Sequence, residues 1–570
     1  MKMKKYFYNT RSCAVATMAL GMLAVSCKRE KMAEYNTDPK LILNISPKPL
    51  IATATVKMHD NNFEAFYDNI RCISNWTQQF VRKNGNGVSF TTTAGGTNVR
   101  YGNFYTNVAP LLVDAQQRID LMPAGQKEKY AYMRVIPGIL KVYYAWYVSD
   151  PNGSLAYVDA IKARQGGTIT PAYQSQQELY TIFDKELKDA VAVLKSTPAA
   201  IQELLGPSDL YFQGDQASIQ KWIKVANTLR LKMAMRLTKR DPEKVKAIAA
   251  EVLADNVGII SNAAEEWIFV GGSGFTQGGN WNPYPDAGFS GEKNTVDFLW
   301  NTQDPRLRLF FRKNSWTQVN FDAAKQQNKI DANAVWNPRQ YYGQYASPDA
   351  SKDDDKKRFF ANIVIKDGNN DLTLDTISPI QQRLFQAEYN GGKGFTSFPL
   401  ITYADVCFMR AELAARGMTT ESAADWYNKG IEASILLYDR MGKAAQLPDY
   451  SPVQPAEIDA YKQQPNIVFN PAKALEQIAI QQYLTYFKQP NEAWALIKRT
   501  GMPNTTTSLA LEALKGDGQP LDMPRRYVIN YPLGGDLNYT NRTKAIDDMR
   551  KDPDFGLPTD MFGRIWWDKK

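Results

Sequence analysis

Apolar residues recur at spacings of three and four along most of the chain, which predicts a mainly helical protein. From about 52 to 80, Phe63, Phe66, Tyr67, Ile70 and Ile73 fall near one helical face. Further helices are predicted over about 101–121 and 127–148. The latter carries Tyr130, Met133, Ile136 and Leu140 on one stripe, is kinked by Pro137-Gly138 and is broken by Asp150-Pro151-Asn152-Gly153. Ser175 followed by Glu178 reads as a capping box, opening a helix to about Leu194. In 215–238, Trp222, Val225, Ala226, Leu229 and Met233 form an apolar stripe, with Lys221, Lys224, Arg230 and Lys232 largely off it. That pattern predicts a core helix with a solvated basic face, in preference to a membrane-surface helix. A helix is predicted over 295–311. The last third reads as helix pairs over about 399–416 with 420–440 and 472–488 with 491–499. Small residues and aromatics match across their short turns, as in tetratricopeptide-like hairpins, without a strict repeat of about 34 residues.

The periodicity fails in four places. Pro39, Pro47 and Pro49 predict an extended lead-in over 27–51. Residues 271–291, GGSGFTQGGNWNPYPDAGFSG, set Phe275, Trp281, Tyr284 and Phe289 among glycines and prolines. Residues 314–393 are loop-rich and hold Trp316, Trp336, Tyr341, Tyr342 and Tyr345. The tail, 524–570, is irregular. Long irregular segments in a helical protein usually serve function, and aromatics among glycines suit a ligand platform. The expected organisation is a leader over 1–26, a tether and lead-in over 27–51, and one helical domain over 52–570 with loop-rich insertions at 271–291 and 314–393.

The leader changes the picture most. Lys2, Lys4, Lys5 and Arg11 precede an apolar run over 12–25, too short for a membrane span and suited to a signal peptide. Leu23-Ala24-Val25-Ser26-Cys27 reads as a lipoprotein cleavage site, with Cys27 as the lipidated N-terminus; the plainer reading is a secretory signal with a chance cysteine. Net charge is +9, four positive charges belong to the leader, and no dense basic block follows, so nucleic acid is not an expected partner. His59 is the only histidine, which removes most triad, zinc and histidine acid–base chemistry. Cys72 and Cys407 lie in apolar helical contexts and are expected as two buried thiols. The run Asp353-Asp354-Asp355 lacks the alternating spacing of a calcium loop. No metal or cofactor is expected.

Several short segments carry a family resemblance. They are Tyr35-Asn36-Thr37-Asp38-Pro39, the segment Thr170-Pro171 to Tyr180 that opens a helix, and Asp209 to Asp215 leading into Lys221-Trp222 through Arg230. Asp304-Pro305-Arg306-Leu307, Pro399 to Val406 with Glu412, Glu492-Ala493-Trp494 with Lys498-Arg499-Thr500-Gly501, and Pro524-Arg525-Arg526-Tyr527 continue the series. In this order they resemble the SusD/RagB family of outer-membrane nutrient-binding lipoproteins, and its SusD-like subgroup in particular. The resemblance implies a tetratricopeptide-like helical scaffold carrying irregular binding loops. It implies a lipid anchor on the cell face of the outer membrane of a Gram-negative cell, a TonB-dependent SusC-like transporter as partner, and binding without catalysis.

Three functions are consistent with this. A binder of oligosaccharides needs flat aromatics rimmed by polar side chains. Trp281 and Tyr284 supply the platforms and Asn280, Asn282 and Asp286 the hydrogen bonds. Trp76 and Tyr101, flanking the 84–96 loop, come next, then Trp316 and Trp336. Each has core packing as its plain alternative, and Trp222, Trp426 and Trp494 are assigned to the core. A binder of oligopeptides would share the architecture. A secreted glycoside hydrolase would need a placed carboxylate pair, and nothing singles one out.

Overall fold

The computed structural model describes residues 46–60, 64–83, 98–271, 288–356 and 362–570. The expected leader and lipid site, and residues 272–287 with Asn280, Trp281, Asn282, Tyr284 and Asp286, lie outside them. One compact unit spans Pro47–Lys570. Its first helix, α1 (Pro47–Lys57), begins earlier than the prolines suggest. Pro47 and Pro49 sit in the first turn, where no intrahelical partner awaits an N–H. The single helix expected over 52–80 is divided: a wider-wound π-helix covers Glu64–Ile73, followed by a short turn Ser74–Trp76.

Consecutive antiparallel-type pairs follow. They are α2 (Ala109–Asp120), α3 (Ala131–Asn152), α4 (Gln176–Lys195), α5 (Gln216–Met235) and α6 (Pro242–Ala254), each packed on the next. Local chemistry sets the ends. Ser175 accepts from the Glu178 amide while Glu178 accepts from the Ser175 amide, and Asp215 caps α5 through the Ser218 amide. Helix α3 runs through Pro151 to Asn152 and stops at Gly153, whose φ of 77° suits glycine. After a short α7 (Lys293–Asn301), the second half contains α8 (Tyr403–Ala415) against α9 (Ala423–Ala444), and α10 (Ala474–Thr485) against α8 and α11 (Pro490–Thr500). The expected mainly helical scaffold is present. Strands form only two-stranded ribbons among the described residues. The tail is not wholly irregular: it holds α12 (Tyr539–Met549). No helix among the described residues is long and apolar enough to cross a membrane.

Two large cores follow the two halves. One gathers Trp146, Trp222 and Trp267 from α3, α5 and the strand Trp267–Gly271; the other gathers Phe310, Tyr438 and Phe487. A smaller cluster joins Trp76, Trp494 and Tyr527. Trp426 is half-buried, with the Arg410 guanidinium 3.6 Å from its ring centre. Cys72 and Cys407 are buried free thiols.

The basic side of α5 is solvated only in part: Lys221 and Lys224 are half-buried, whereas Arg230, Lys232 and, just past the helix end, Arg236 are not exposed. Arg230 pairs with Asp184 and Glu251, and Lys232 donates to the Leu400 carbonyl at 3.0 Å. Arg236 bonds Asp150 and Glu492. All three are buried. Buried cations must be matched by carboxylates and carbonyls, and here these come from remote elements that periodicity does not display.

Candidate ligand-binding face

Two glycine-rich stretches of the sequence share one root. Val81–Arg82 pairs antiparallel with Phe289–Ser290, and the Lys83 amide donates to the Gly288 carbonyl at 2.7 Å. Lys83 and Gly288, the described residues that border 84–97 and 272–287, are therefore side by side. This ribbon is fastened to the loop-rich insertion. Gln344 donates from Nε2 to the Lys83 carbonyl at 2.5 Å, its amide donates to Gly291 at 3.0 Å, and its carbonyl accepts from Lys293 at 2.9 Å. Gly343 permits that approach: a Cβ there would lie 2.7 Å from the Glu292 oxygen. Lys83 Nζ reaches Asp375 at 2.5 Å.

Beside this root lies an aromatic surface built on one arginine. The Arg339 guanidinium carbon lies 4.6 Å from the Tyr342 ring centre and 5.3 Å from that of Trp300. Its Nε donates to the Tyr341 carbonyl at 2.7 Å, and Nη2 pairs with Asp297. Two rings and two acceptors fix the guanidinium plane. Trp300, at the end of α7, is 39% exposed, and Tyr341, Tyr342 and Tyr345 are half-buried. Lys293 Nζ and Lys356 Nζ lie 5.8 and 5.2 Å from the Tyr345 ring centre. The surface thus offers apolar ring faces edged by donors and acceptors. A pyranose, with CH faces and equatorial hydroxyls, has the complementary pattern.

Over residues 39–532 the sequence matches a SusD-like family model whose description is starch-binding associating with outer membrane. The chain belongs to the SusD-like family. Solved structures agree in fold. A chitin-binding protein superposes with TM-score 0.65 at 21% identity, covering 92% of this chain and all of that one. A SusD homologue from Bacteroides fragilis gives 0.63 at 21%, covering 92% and 100%. A chitin-binding SusD homologue from Flavobacterium johnsoniae gives 0.62 at 20%, covering 92% and 99%. Among curated proteins no sequence matches the chain.

The remaining candidates of this SusD-like chain separate. Trp316 donates from Nε1 to Thr376 at 3.2 Å and Trp336 packs 5.5 Å from Phe321, a ring that Trp316 also meets. Both are half-buried, and Gln340 Nε2 donates to the Trp316 carbonyl at 2.8 Å, tying Trp316 to the Tyr341 segment. Trp76 is only 2% exposed, its ring centre 5.4 Å from that of Trp494 and 6.2 Å from that of Tyr527. It is a core residue and not a platform, because the turn after the π-helix packs it against Trp494 and Tyr527. Tyr101 is half-buried and bonds the Tyr173 hydroxyl at 3.1 Å in a separate cavity. Sequence reasoning did not single out Trp300 or Arg339. Spacing gave no signal for Trp300, which is four residues past the buried Val296 and so falls on the same helical face.

His59 is half-buried and stacked 4.4 Å from Phe269, and desolvation pushes its pKa down to about 3, so it is neutral. Among the described residues, no group of three His, Cys, Asp or Glu side chains is arranged to hold a metal. Glu292 caps α7 through the Thr295 amide at 2.8 Å, and burial pushes its carboxyl up from 4.5 to about 8. A carboxyl raised in the folded state favours folding while protonated. Its contribution is full below about pH 4.5 and is lost as pH rises through about 8. Glu292→Gln keeps the cap and removes the titration. The variant's urea midpoint should therefore fall less than the parent's between pH 5 and 8. Parallel profiles would show that Glu292 does not carry this dependence.

Proposed function

We propose that this SusD-like protein is a lipid-anchored binding protein on the extracellular face of the outer membrane. It captures oligosaccharides and delivers them to a TonB-dependent SusC-like transporter without hydrolysing them. The anchor would be Cys27, at the end of a leader of lipoprotein pattern. The observation that carries the saccharide reading is the Arg339 platform between Trp300 and Tyr342, on the insertion that Gln344 ties to the Val81–Lys83 segment. Trp281 and Tyr284 are proposed as further stacking rings, with Asn280, Asn282 and Asp286 as their polar partners. The family's description and two chitin-binding structural neighbours support a glycan ligand.

The test is calorimetric titration of residues 28–570 with oligosaccharide and oligopeptide mixtures. Tyr342→Ala and Trp281→Ala should each weaken glycan binding about tenfold, or about 1.4 kcal/mol. The recovered oligosaccharide should be uncleaved. Binding of peptides alone would replace the ligand class, and release of new reducing ends would overturn the assignment as a binder.

A further inference from the structure

A cavity of about 240 Å³ lies between the start of helix Val99–Asn103, the end of α3 and α12. At about 30 Å³ per water it holds the equivalent of about eight waters, room for one sugar ring. Its wall is assembled from remote parts of the chain. Asn98 and Asn152 bond each other reciprocally at 2.7 and 2.9 Å, and Tyr101 bonds Tyr173. Asn538 and Asn541 hold α12 to the Pro171 carbonyl beside Tyr173. The rest of the lining includes an apolar part with Ile529, Ile546 and Met549 and a polar part with Ser154, Asn530 and Arg542.

Arg542 is the one charged side chain in this lining. Its Nη2 donates to the Asn530 carbonyl at 3.1 Å, and it forms no ion pair among the described residues. Most other arginines of the chain face carboxylates: Arg230, Arg236, Arg339, Arg499 and Arg525 all do. A guanidinium with one neutral acceptor keeps most of its N–H donors for a ligand, and a carboxylate matches their fork. The amide and hydroxyl groups nearby suit ring hydroxyls, and the apolar part suits a ring's CH face.

We propose that this cavity is a subsite for a sugar ring bearing a carboxylate, a hexuronic acid residue, with Arg542 taking the carboxylate. The proposal rests on the saccharide reading above and adds the charge class of one residue of the ligand. Binding is non-covalent and moves no proton.

The experiment titrates residues 28–570 with oligogalacturonides and with neutral oligosaccharides of equal length. Arg542→Gln and Asn530→Ala are tested beside Tyr342→Ala. Oligogalacturonide affinity should fall about tenfold or more in Arg542→Gln and measurably in Asn530→Ala, with neutral binding unchanged. It should also weaken with added salt, as one ion pair requires. Unchanged oligogalacturonide affinity in Arg542→Gln, or none in the parent protein, overturns the subsite. If neutral glycans still bind and respond to Tyr342→Ala, the capture reading survives that failure. If neither class binds, both readings fail. A peptide carboxylate that binds with the same dependence on Arg542, where the uronides do not, would replace the sugar.

Discussion

Replacing Arg100 with methionine is expected to cost about 3–5 kcal/mol of stability, because it leaves buried acceptors and a carboxylate without their cation. Arg100 is fully buried. Its guanidinium donates to Asn491 at 2.6 Å, Asn69 at 3.1 Å and Tyr527 at 3.3 Å, and stacks 3.9 Å from the Tyr147 ring centre. Asp68 lies 3.7 Å from Arg100 Nε. Burial raises the Asp68 carboxyl from 3.8 to about 7, against the pull of Arg100. A raised carboxyl favours folding when protonated, and that contribution fades as pH rises toward the folded value. Without Arg100 the raised value moves further up. The variant's deficit should therefore be larger at pH 8 than at pH 5, and Asp68→Asn should recover part of it in the same background. Urea unfolding at the two pH values measures this. An equal deficit at both would mean that the lost hydrogen bonds, and not the charge, dominate.

Trp76→Ala is expected to cost about 3–5 kcal/mol, the range for truncating a large buried aromatic, and to leave glycan affinity unchanged in the protein that remains folded. The ring closes a cluster with Trp494, whose Nε1 donates to the Pro524 carbonyl at 2.6 Å, and with Tyr527. Lys498 Nζ lies 3.8 Å from the Trp494 ring centre. Loss of glycan binding with little loss of stability would return Trp76 to the list of ligand contacts. The contrast with Trp300 is instructive, since a tryptophan's burial depends on what packs across it.

What could be read from the sequence was local. The Ser175–Glu178 capping box, the α5 start at Asp215 and the stop of α3 at Gly153 depend on neighbours within a few residues. The helix pairs of the last third followed from their apolar spacing. What could not be read was non-local. Arg230 and Lys232 look solvent-facing on a helical wheel, yet their partners come from α4, α6 and the segment around Leu400. The Arg339 platform needs Trp300 and Tyr342 brought together by the ribbon and by Gln344. Pro47 misled because a proline signals a break only in a helix interior, whereas here it opens one. The tail misled because its order comes from contacts far upstream. Trp567, for example, donates from Nε1 to the Asp150 carbonyl at 3.0 Å.

Those far contacts also bear on timing. Arg100 waits for Asn491 and Tyr527, Gln78 for Glu512, and Gln176 for Trp567. Each early residue is completed by one made several hundred positions later. Loop closure over such separations is slow, and the early helices keep open sites until the final segment arrives. For the export proposed above, the chain must stay unlocked until it has crossed the membrane. Interleaving its beginning and end delays locking in this way, and a truncation before residue 524 should yield a chain that chaperones and proteases treat as unfinished.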